Sequence, residues 1–198
     1  MERVKLVLAS ENEHKARELR EVLPAWTVVL LGRPLPEETG ETFTANARAK
    51  AEFGRRRAEA ESWVAGEDSG LEVDALAGRP GVRSARYAGE RASDAANVDK
   101  LLRELAGVRE GHRSARYVCH LVAIGPDGRE VAATGTLTGA IAFAPRGEGG
   151  FGYDPVFVPD GERRTVAELG DAWKARHSHR ARAARSLACS LNRSPGAL

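Results

Sequence analysis

The sequence is poor in the residues that support a redox or sulfur-based site. It has only two cysteines among 198 residues. Cys119 and Cys189 are far apart and belong to no C-x-x-C pair, whereas a structural zinc site built from thiolates needs closely spaced ligands. Because free cysteine is among the residue types most often buried, we expect two buried thiols and no sulfur-ligated zinc.

Long hydrophobic runs and a strong excess of one charge are also absent. No apolar stretch approaches the roughly 20 residues that cross a bilayer, and no hydrophobic signal-peptide core precedes Ser10. The 30 basic and 28 acidic side chains leave a formal charge of 30 − 28 = +2, which gives no strong field toward nucleic acid or a membrane surface. We expect a cytoplasmic protein with no nucleic-acid or membrane partner.

The patterns that are present predict an α/β fold. A β-favouring run at residues 4–9 leads into the polar segment SENEHK at 10–15 and then into a helix with apolar residues at helical spacing. Further strands are predicted at 28–31, at 62–65 and, separately, at 71–76. Residues 113–124 and 130–143, divided by a Gly-Pro-Asp-Gly turn, predict an antiparallel hairpin. Alternating helices and strands followed by a hairpin predict a mixed twisted sheet with flanking helices.

The chain length suits one large domain or one domain with two lobes, which we take to span residues 1–198. The last helix is predicted at about residues 178–191. The tail at 192–198 is expected to fray.

The segment WVAGEDSGLEVD, residues 63–74, places two carboxylates where an apolar run breaks off. Taken alone, Glu67 and Asp68 fit an acidic surface turn. They equally fit a metal or general-base site. Only the remainder of the chain separates these interpretations.

The segment SENEHK follows the first predicted strand. A strand-to-helix turn presents unpaired backbone N–H groups at the positive end of a helix dipole, which favours phosphate. Ser10, Asn12 and Lys15 add two neutral donors and one cation. Ser10 and Glu13 also fit a capping box, so an ordinary capped helix is the alternative.

A glycine-rich segment, GEGGFGYDPVF at residues 147–157, carries two aromatic side chains. Glycine lets a backbone approach a ligand closely. Phe151 and Tyr153 offer faces on which a base stacks, and Asp154 offers hydrogen-bond acceptors. A plain glycine-rich turn closed by Pro155 is the alternative.

A cationic segment, KARHSHR at residues 174–180, lies at the predicted start of the last helix. Lys174, His179 and Arg180 make it rich in donors, which suits an anion or a base edge. Two histidines at this spacing without a carboxylate pattern do not indicate zinc. Arg83 and Arg86, on the loop GRPGVRSARYAGE, add a further pair of phosphate-binding side chains, although such pairs are usually solvated.

Together these segments supply donors and cations for phosphates, a stacking platform for a base, and a carboxylate pair for a hard cation. Mg²⁺ prefers oxygen ligands and usually bridges one or two carboxylates to substrate phosphates. The combination indicates a nucleoside triphosphate enzyme.

At this point the chain resembles the inosine/xanthosine triphosphate pyrophosphatases, the Ham1-like family. The matching segments, in the family's order, are SENEHK, TFTANARAKA, EDSGLEVDAL, PGVRSARYAGE, NVDKLL, GGFGYDP and SHR. The resemblance implies a mixed α/β fold of two lobes around a central nucleotide cleft, usually as a homodimer. It implies Mg²⁺-dependent hydrolysis of ITP, dITP or XTP to the monophosphate and pyrophosphate, which cleanses the nucleotide pool.

The resemblance also implies roles for individual residues. It assigns the triphosphate to Ser10, Glu11, Asn12, Glu13, His14 and Lys15. It makes Asp68 the general base and a Mg²⁺ ligand, with Ser69 beside the substrate. It assigns the base pocket to Phe151, Gly152, Tyr153, Asp154, Lys174, His179 and Arg180. A donor from Arg180 or His179 to the purine 6-oxo group would reject adenine, because its amino group leaves a buried donor unpaired.

Two departures from the family pattern concern the metal. The family's TFxENAxxKA motif has a metal-site glutamate where this chain has Ala45, and the first of its two aspartates is Glu67 here. Glu41 lies one helical turn before Ala45 on a similar face. We hypothesise that Glu41 or the longer Glu67 reaches the ion or its waters.

Three other functions are compatible with parts of the sequence. One is a related pyrophosphatase acting on pyrimidine or other modified nucleotides. The second is a nucleotide-binding or sensor protein without turnover, which Ala45 suggests. The third is a nucleic-acid-binding module, suggested by the Gly-Arg-Arg-Arg run at residues 54–57 and by the arginine-rich last helix, although the charge of +2 favours a solvated face.

Overall fold

A computed structural model of the chain describes residues 4–32 and 34–192, so the tail predicted to fray lies, beyond Asn192, outside the described residues. The strands are β1 (Val4–Leu8), β2 (Trp26–Leu30), β3 (Trp63–Val73), β4 (Ser114–Ile124), β5 (Glu130–Ile141) and β6 (Phe157–Pro159). The helices are α1 (Glu13–Val22), α2 (Phe43–Arg55), α3 (Asp94–Glu104), α4 (Val166–Leu169), α5 (Asp171–His177) and α6 (His179–Asn192). Two short 3₁₀ helices, Asp74–Leu76 and Gly81–Arg86, follow β3.

The strands form one six-stranded sheet in the order β2-β1-β3-β4-β5-β6. Strand β1 pairs in parallel with β2 and β3, whereas β5 and β6 are antiparallel, with Ala140 opposite Val158. Neighbouring β4 and β5 are joined only by the turn at residues 125–129, so they form the predicted hairpin. The predicted mixed sheet with flanking helices is confirmed.

One strand prediction was wrong. Residues 62–65 and 71–76 do not form two strands, because β3 runs without interruption through Glu67 and Asp68. The polar residues suggested a break because both an acidic surface turn and a carboxylate site at a strand end fit them. Instead both carboxylates are buried, with 1% and 4% of their surfaces exposed, and cationic side chains meet them there.

One prediction about a helix start was also wrong, and a second was correct only in part. The N-cap of α1 is Asn12, whose side chain accepts from the Lys15 N–H, and Ser10 instead accepts from the Asn12 N–H. The last helix, predicted at about residues 178–191, is α6 and begins at His179. Lys174 does not lie on it, because α5 ends at His177 and extended Ser178 separates the two helices. Of the two cysteines, Cys119 is buried as expected but Cys189 is exposed.

The chain divides into two compact units. The first comprises Cys119–Gly135 with the described parts of Met1–Asp68 and His179–Leu198, and the second comprises Ser69–Val118 and Thr136–Ser178. The first unit's hydrophobic cluster includes Leu6, Leu8, Leu19, Leu121 and Leu187. The second unit's cluster includes Leu71, Leu101, Tyr117, Ile141 and Phe157. The two-lobed arrangement implied by the resemblance stays a prediction.

Two glycines set how closely helices lie on the sheet of the first unit. A Cβ at Gly66 of β3 would lie 1.9 Å from the carbonyl oxygen of Ala47 in α2. A Cβ at Gly135 of β5 would lie 2.0 Å from the carbonyl oxygen of His179, where α6 begins. These contacts require glycine, and they bring α2 and the start of α6 directly against the strands. Within residues 4–32 and 34–192, no helix has the length and hydrophobicity to span a membrane.

Candidate functional site

Asp68 is the centre of a buried polar cluster in the first unit. Its Oδ2 accepts a 2.9 Å hydrogen bond from Nδ2 of Asn46, and its Oδ1 lies 3.7 Å from Nζ of Lys50. Lys50 is itself 5% exposed and donates to the carboxylate of Glu38 and, at 2.8 Å, to the Glu67 carbonyl oxygen. One ammonium therefore joins two carboxylates, those of Asp68 and Glu38. We call Glu38, Asn46, Lys50 and Asp68 the Asp68 cluster.

The environment of Asp68 makes it a stronger base than an exposed aspartate. Burial raises its pKa, the neighbouring Glu38 raises it further, and Lys50 and Asn46 only partly oppose this shift. A base gains proton affinity as its pKa rises toward the working pH. This carboxylate therefore suits the acceptance of a proton from water better than an exposed aspartate does.

Glu67, the preceding residue, is held in a second cluster on the opposite face of β3. Its Oε2 lies 2.6 Å from Nζ of Lys15, and its Oε1 accepts from the Arg180 guanidinium at 3.2 and 3.3 Å. The Cys119 thiol donates to the same Oε1 at 3.3 Å. Arg180 in turn donates to Glu18 at 2.5 Å. We call Lys15, Glu18, Glu67, Cys119 and Arg180 the Glu67 cluster.

The charges of the Glu67 cluster stabilise one another. Burial alone would raise the pKa of Glu67, but Lys15 and Arg180 outweigh burial and hold that pKa well below its usual range. Burial similarly would lower the pKa of Lys15, and Glu67 reverses the direction. Burial beside Glu67 raises the pKa of the Cys119 thiol well above its usual value. The cluster therefore holds charged Glu67 and Lys15 beside a neutral thiol.

The turn before α1 brings only some of the predicted phosphate-binding side chains inward. Lys15 points to Glu67, and Ser10 is 8% exposed. Glu11, Glu13 and His14 are exposed, and Glu13 pairs with Arg20.

Arg180 and Lys174, predicted for one base pocket, belong to different units. Arg180 is 2% exposed and directs its guanidinium to two carboxylates of the first unit, as described above. His179, at the start of α6, is also buried in that unit. Lys174 belongs to the second unit.

Asp154 organises the second unit's polar cluster. Its Oδ2 accepts from Nζ of Lys174 at 2.8 Å and from the Phe151 N–H at 3.0 Å, while the Tyr117 hydroxyl donates to Oδ1 at 3.2 Å. Both members of the ion pair are 4% exposed. The Lys174 ammonium also lies 4.4 Å from the centre of the Phe151 ring, a cation–π distance. These contacts fix the ring of Phe151.

The two aromatic residues of the glycine-rich segment differ in availability. Tyr153 is 4% exposed, packs in the second hydrophobic cluster and donates from its hydroxyl to the Ser84 carbonyl oxygen at 2.8 Å. Phe151 remains half-buried. Gly152, with φ of 63°, donates its N–H to Asp94 at 2.6 Å, which holds the loop. Of the two aromatic rings, that of Phe151 is therefore the more exposed, and Ser69, also half-buried, belongs to the same unit.

A divalent cation has candidate ligands in the Asp68 cluster. In the described part of the chain, no three His, Cys, Asp or Glu side chains form a ready-made metal site. Mg²⁺ usually needs only one or two protein carboxylates beside substrate phosphates. Asp68 and Glu38, which share Lys50, fit that requirement, whereas Glu41 is exposed before α2.

Sequence reasoning missed several members of both clusters. Asn46 and Lys50 did carry a signal, because they are the polar residues four positions apart on one face of an alanine-rich helix. Glu18 also lies one turn after Lys15 on α1. Nothing local distinguished Glu38 from its acidic neighbours Glu37 and Glu41.

Comparison with known proteins gives a consistent result. Residues 6–189 match the model of the Ham1 family. The dITP/XTP pyrophosphatase of Opitutus terrae is 48% identical, over 93% of this chain and 97% of that protein. Among solved structures, a HAM1 protein from Coxiella burnetii matches with a TM-score of 0.85 at 35% identity, covering 96% of this chain and all of that one. The Staphylococcus aureus Ham1 protein matches with a TM-score of 0.82 at 39% identity, covering 95% and 98%.

Proposed function

We infer that this chain, which belongs to the Ham1 family, is a nucleoside triphosphate pyrophosphatase. It hydrolyses deaminated purine nucleotides such as dITP, ITP and XTP to the monophosphate and pyrophosphate, and it requires Mg²⁺. The carrying observation is buried Asp68, whose two oxygens are held by Asn46 and Lys50. The names of its relatives, dITP/XTP pyrophosphatase, support the substrate class.

The first unit supplies the chemistry in this proposal. Asp68 takes the proton of the attacking water as the bond between the α-phosphorus and the bridging oxygen breaks and pyrophosphate leaves. Asp68 and Glu38 would hold Mg²⁺, which when bound would offset the charge on the phosphates. Lys15 and the N–H groups at the start of α1 bind the triphosphate.

The second unit supplies base recognition. Phe151 offers its face to the base, while Asp154 and Lys174 keep that ring in place. We assign Arg180 a place beside Glu67 in preference to the base pocket, since its donors meet carboxylates of the first unit. A homodimer in the cytoplasm remains part of the proposal.

The test is pyrophosphate release from dITP, ITP, XTP, dATP and dGTP, with and without Mg²⁺. Asp68→Asn should lower the release from dITP by a factor of about 10² to 10⁴, the usual contribution of a general base. Asp99→Asn, a change of an exposed aspartate on α3, is the matched control and should retain full activity.

Release that is independent of Mg²⁺, or equal for dITP and dATP, would contradict the proposal. Folded protein that binds dITP and releases nothing would support the alternative, a nucleotide-binding protein without turnover. Ala45, where the family has a metal-site glutamate, is the observation behind that alternative.

A further inference from the structure

We propose that Glu67 is a positioning residue that holds Lys15 for the phosphates of the substrate, and that it is not a Mg²⁺ ligand. The role of Lys15 in this inference rests on the proposed function. The inference replaces the hypothesis, drawn from the sequence, that Glu67 reaches the ion.

The contacts of Glu67 leave no open face toward a metal ion. Its side chain has no exposed surface. One carboxylate oxygen meets the Lys15 ammonium, and the other meets the Arg180 guanidinium and the Cys119 thiol. A hard cation needs carboxylate oxygens that it can reach. The Asp68 side chain keeps 6% of its surface exposed, whereas the Glu67 carboxylate has none and lies between the Lys15 ammonium and the Arg180 guanidinium.

Three elements lock this carboxylate in place. Lys15 and Glu18 come from α1, Cys119 from β4 and Arg180 from α6. The charged side chains follow one another in the order Lys15, Glu67, Arg180 and Glu18. Helix α1 supplies both the first and the last of them. A side chain fixed by packing and by a second layer of hydrogen bonds holds a neighbouring group within narrow limits.

Lys15 is the member of the cluster that a ligand can reach. Its side chain is 17% exposed, whereas that of Glu67 is fully enclosed. A lysine side chain is long and flexible, and ordering it on binding opposes affinity. Glu67 orders the ammonium before the phosphates arrive, so the contribution of Lys15 to phosphate binding should depend on the charge of Glu67.

A double-mutant cycle on the binding of inorganic tripolyphosphate, measured by calorimetry without metal, tests this dependence. Lys15→Met should weaken binding by about tenfold in the wild-type background and by less than about twofold in Glu67→Gln. Glu67→Asp, which keeps the charge, should restore most of the tenfold effect. Circular dichroism and thermal melts establish that each variant is folded.

The ion pair of Lys5 with Glu59, 2.7 Å apart and exposed in the same unit, provides the control cycle. Lys5→Met and Glu59→Gln should leave tripolyphosphate binding unchanged, singly and together. This control removes the general effect of net charge from the result.

Equal weakening by Lys15→Met in both backgrounds would overturn the inference, as would wild-type protein that does not bind tripolyphosphate. If Glu67→Gln does not fold, Glu67→Asp still tests whether Glu67 is a metal ligand. For this variant, the Mg²⁺ concentration that half-saturates pyrophosphate release should stay near the wild-type value. A rise of about tenfold or more in that concentration is expected for an altered metal site and would overturn the inference. The failure of the proposed function itself is recognised separately, as an absence of pyrophosphate release from the wild-type protein.

Discussion

Adjacent carboxylates on β3 occupy opposite electrostatic environments. Side chains of neighbouring strand residues point to opposite faces of the sheet, so Asp68 meets α2 and Glu67 meets α1 and α6. Burial raises the pKa of Asp68, whereas two cations outweigh the burial of Glu67 and lower its pKa. Two adjacent carboxylates therefore have pKa values shifted in opposite directions by their surroundings.

At the residue scale, Glu38→Gln should raise the Mg²⁺ requirement. Glu38 shares Lys50 with Asp68, so in the proposed function it takes the place of the glutamate that the family has at position 45. We expect a rise of about tenfold or more in the half-saturating Mg²⁺ concentration for pyrophosphate release. Glu41→Gln, at an exposed position in the same segment, is the control and should change nothing. A larger rise in Glu41→Gln than in Glu38→Gln would indicate that Glu41, and not Glu38, binds the metal.

Tyr87 should be detectable as a late-titrating tyrosine. Burial and the hydrogen bond from its hydroxyl to Glu104, at 2.6 Å, raise the pKa of Tyr87 from 10.0 to about 12. Because the folded-state pKa is the higher one, this group stabilises the protein fully below pH 10, and the contribution is lost as pH rises toward 12. An ultraviolet absorbance titration should show a step near pH 12 that Tyr87→Phe removes. Persistence of that step in the variant would refute the assignment.

The residues of the site were only partly predictable. Lys15, Asp68 and Phe151 stand in short segments whose chemistry is visible in the sequence. Glu38 was not predictable, because Glu37, Glu38 and Glu41 crowd one loop and only packing against Lys50 selects among them. For Arg180, a cationic segment does not reveal which anion it meets, and its partners Glu18 and Glu67 are distant in sequence.

At the scale of elements, β3 shows why local patterns divided one strand into two. The Glu-Asp-Ser-Gly interruption resembles a turn, since charged residues rarely lie fully buried unless they are paired. The pairing comes from helices elsewhere in the chain, through Lys15 of α1 and Lys50 of α2. The strand therefore continues through residues 67 and 68 because of contacts with residues distant in sequence, which a local pattern does not include.

Gly66 allows α2 to lie directly on β3, so Gly66→Ala should be destabilising. The new Cβ would meet the Ala47 carbonyl oxygen at 1.9 Å and the Ala51 nitrogen at 2.6 Å, and backbone atoms cannot rotate away. We expect a loss of about 1–3 kcal/mol or more in the free energy of unfolding, the range for overpacking, as measured by denaturant titration.

Turnover should fall in the same variant, because α2 carries Asn46 and Lys50 to Asp68. Gly107→Ala is the matched control, since a Cβ there meets nothing within 4 Å. Unchanged stability and activity of Gly66→Ala would mean that α2 does not lie as close to the strand as described.

At the scale of the whole molecule, the mixed α/β class followed from the alternation of elements, and the resemblance covered nearly the whole chain. The strand order did not follow, because β1 lies between β2 and β3 and no periodicity specifies that arrangement. Each unit has its own hydrophobic cluster and its own polar cluster. The buried carboxylates Glu67 and Asp68 lie in the first unit, and Phe151 lies in the second.

The most direct measurement of the central claim is phosphorus NMR of dITP turnover with Mg²⁺. The account predicts dIMP and pyrophosphate as the only products, formed by the wild-type protein and lost in Asp68→Asn. Formation of dIDP and inorganic phosphate would place the cleavage at the terminal phosphate and contradict it. Unaltered turnover in folded Asp68→Asn would equally contradict it, because the proton acceptor would then have to be another residue.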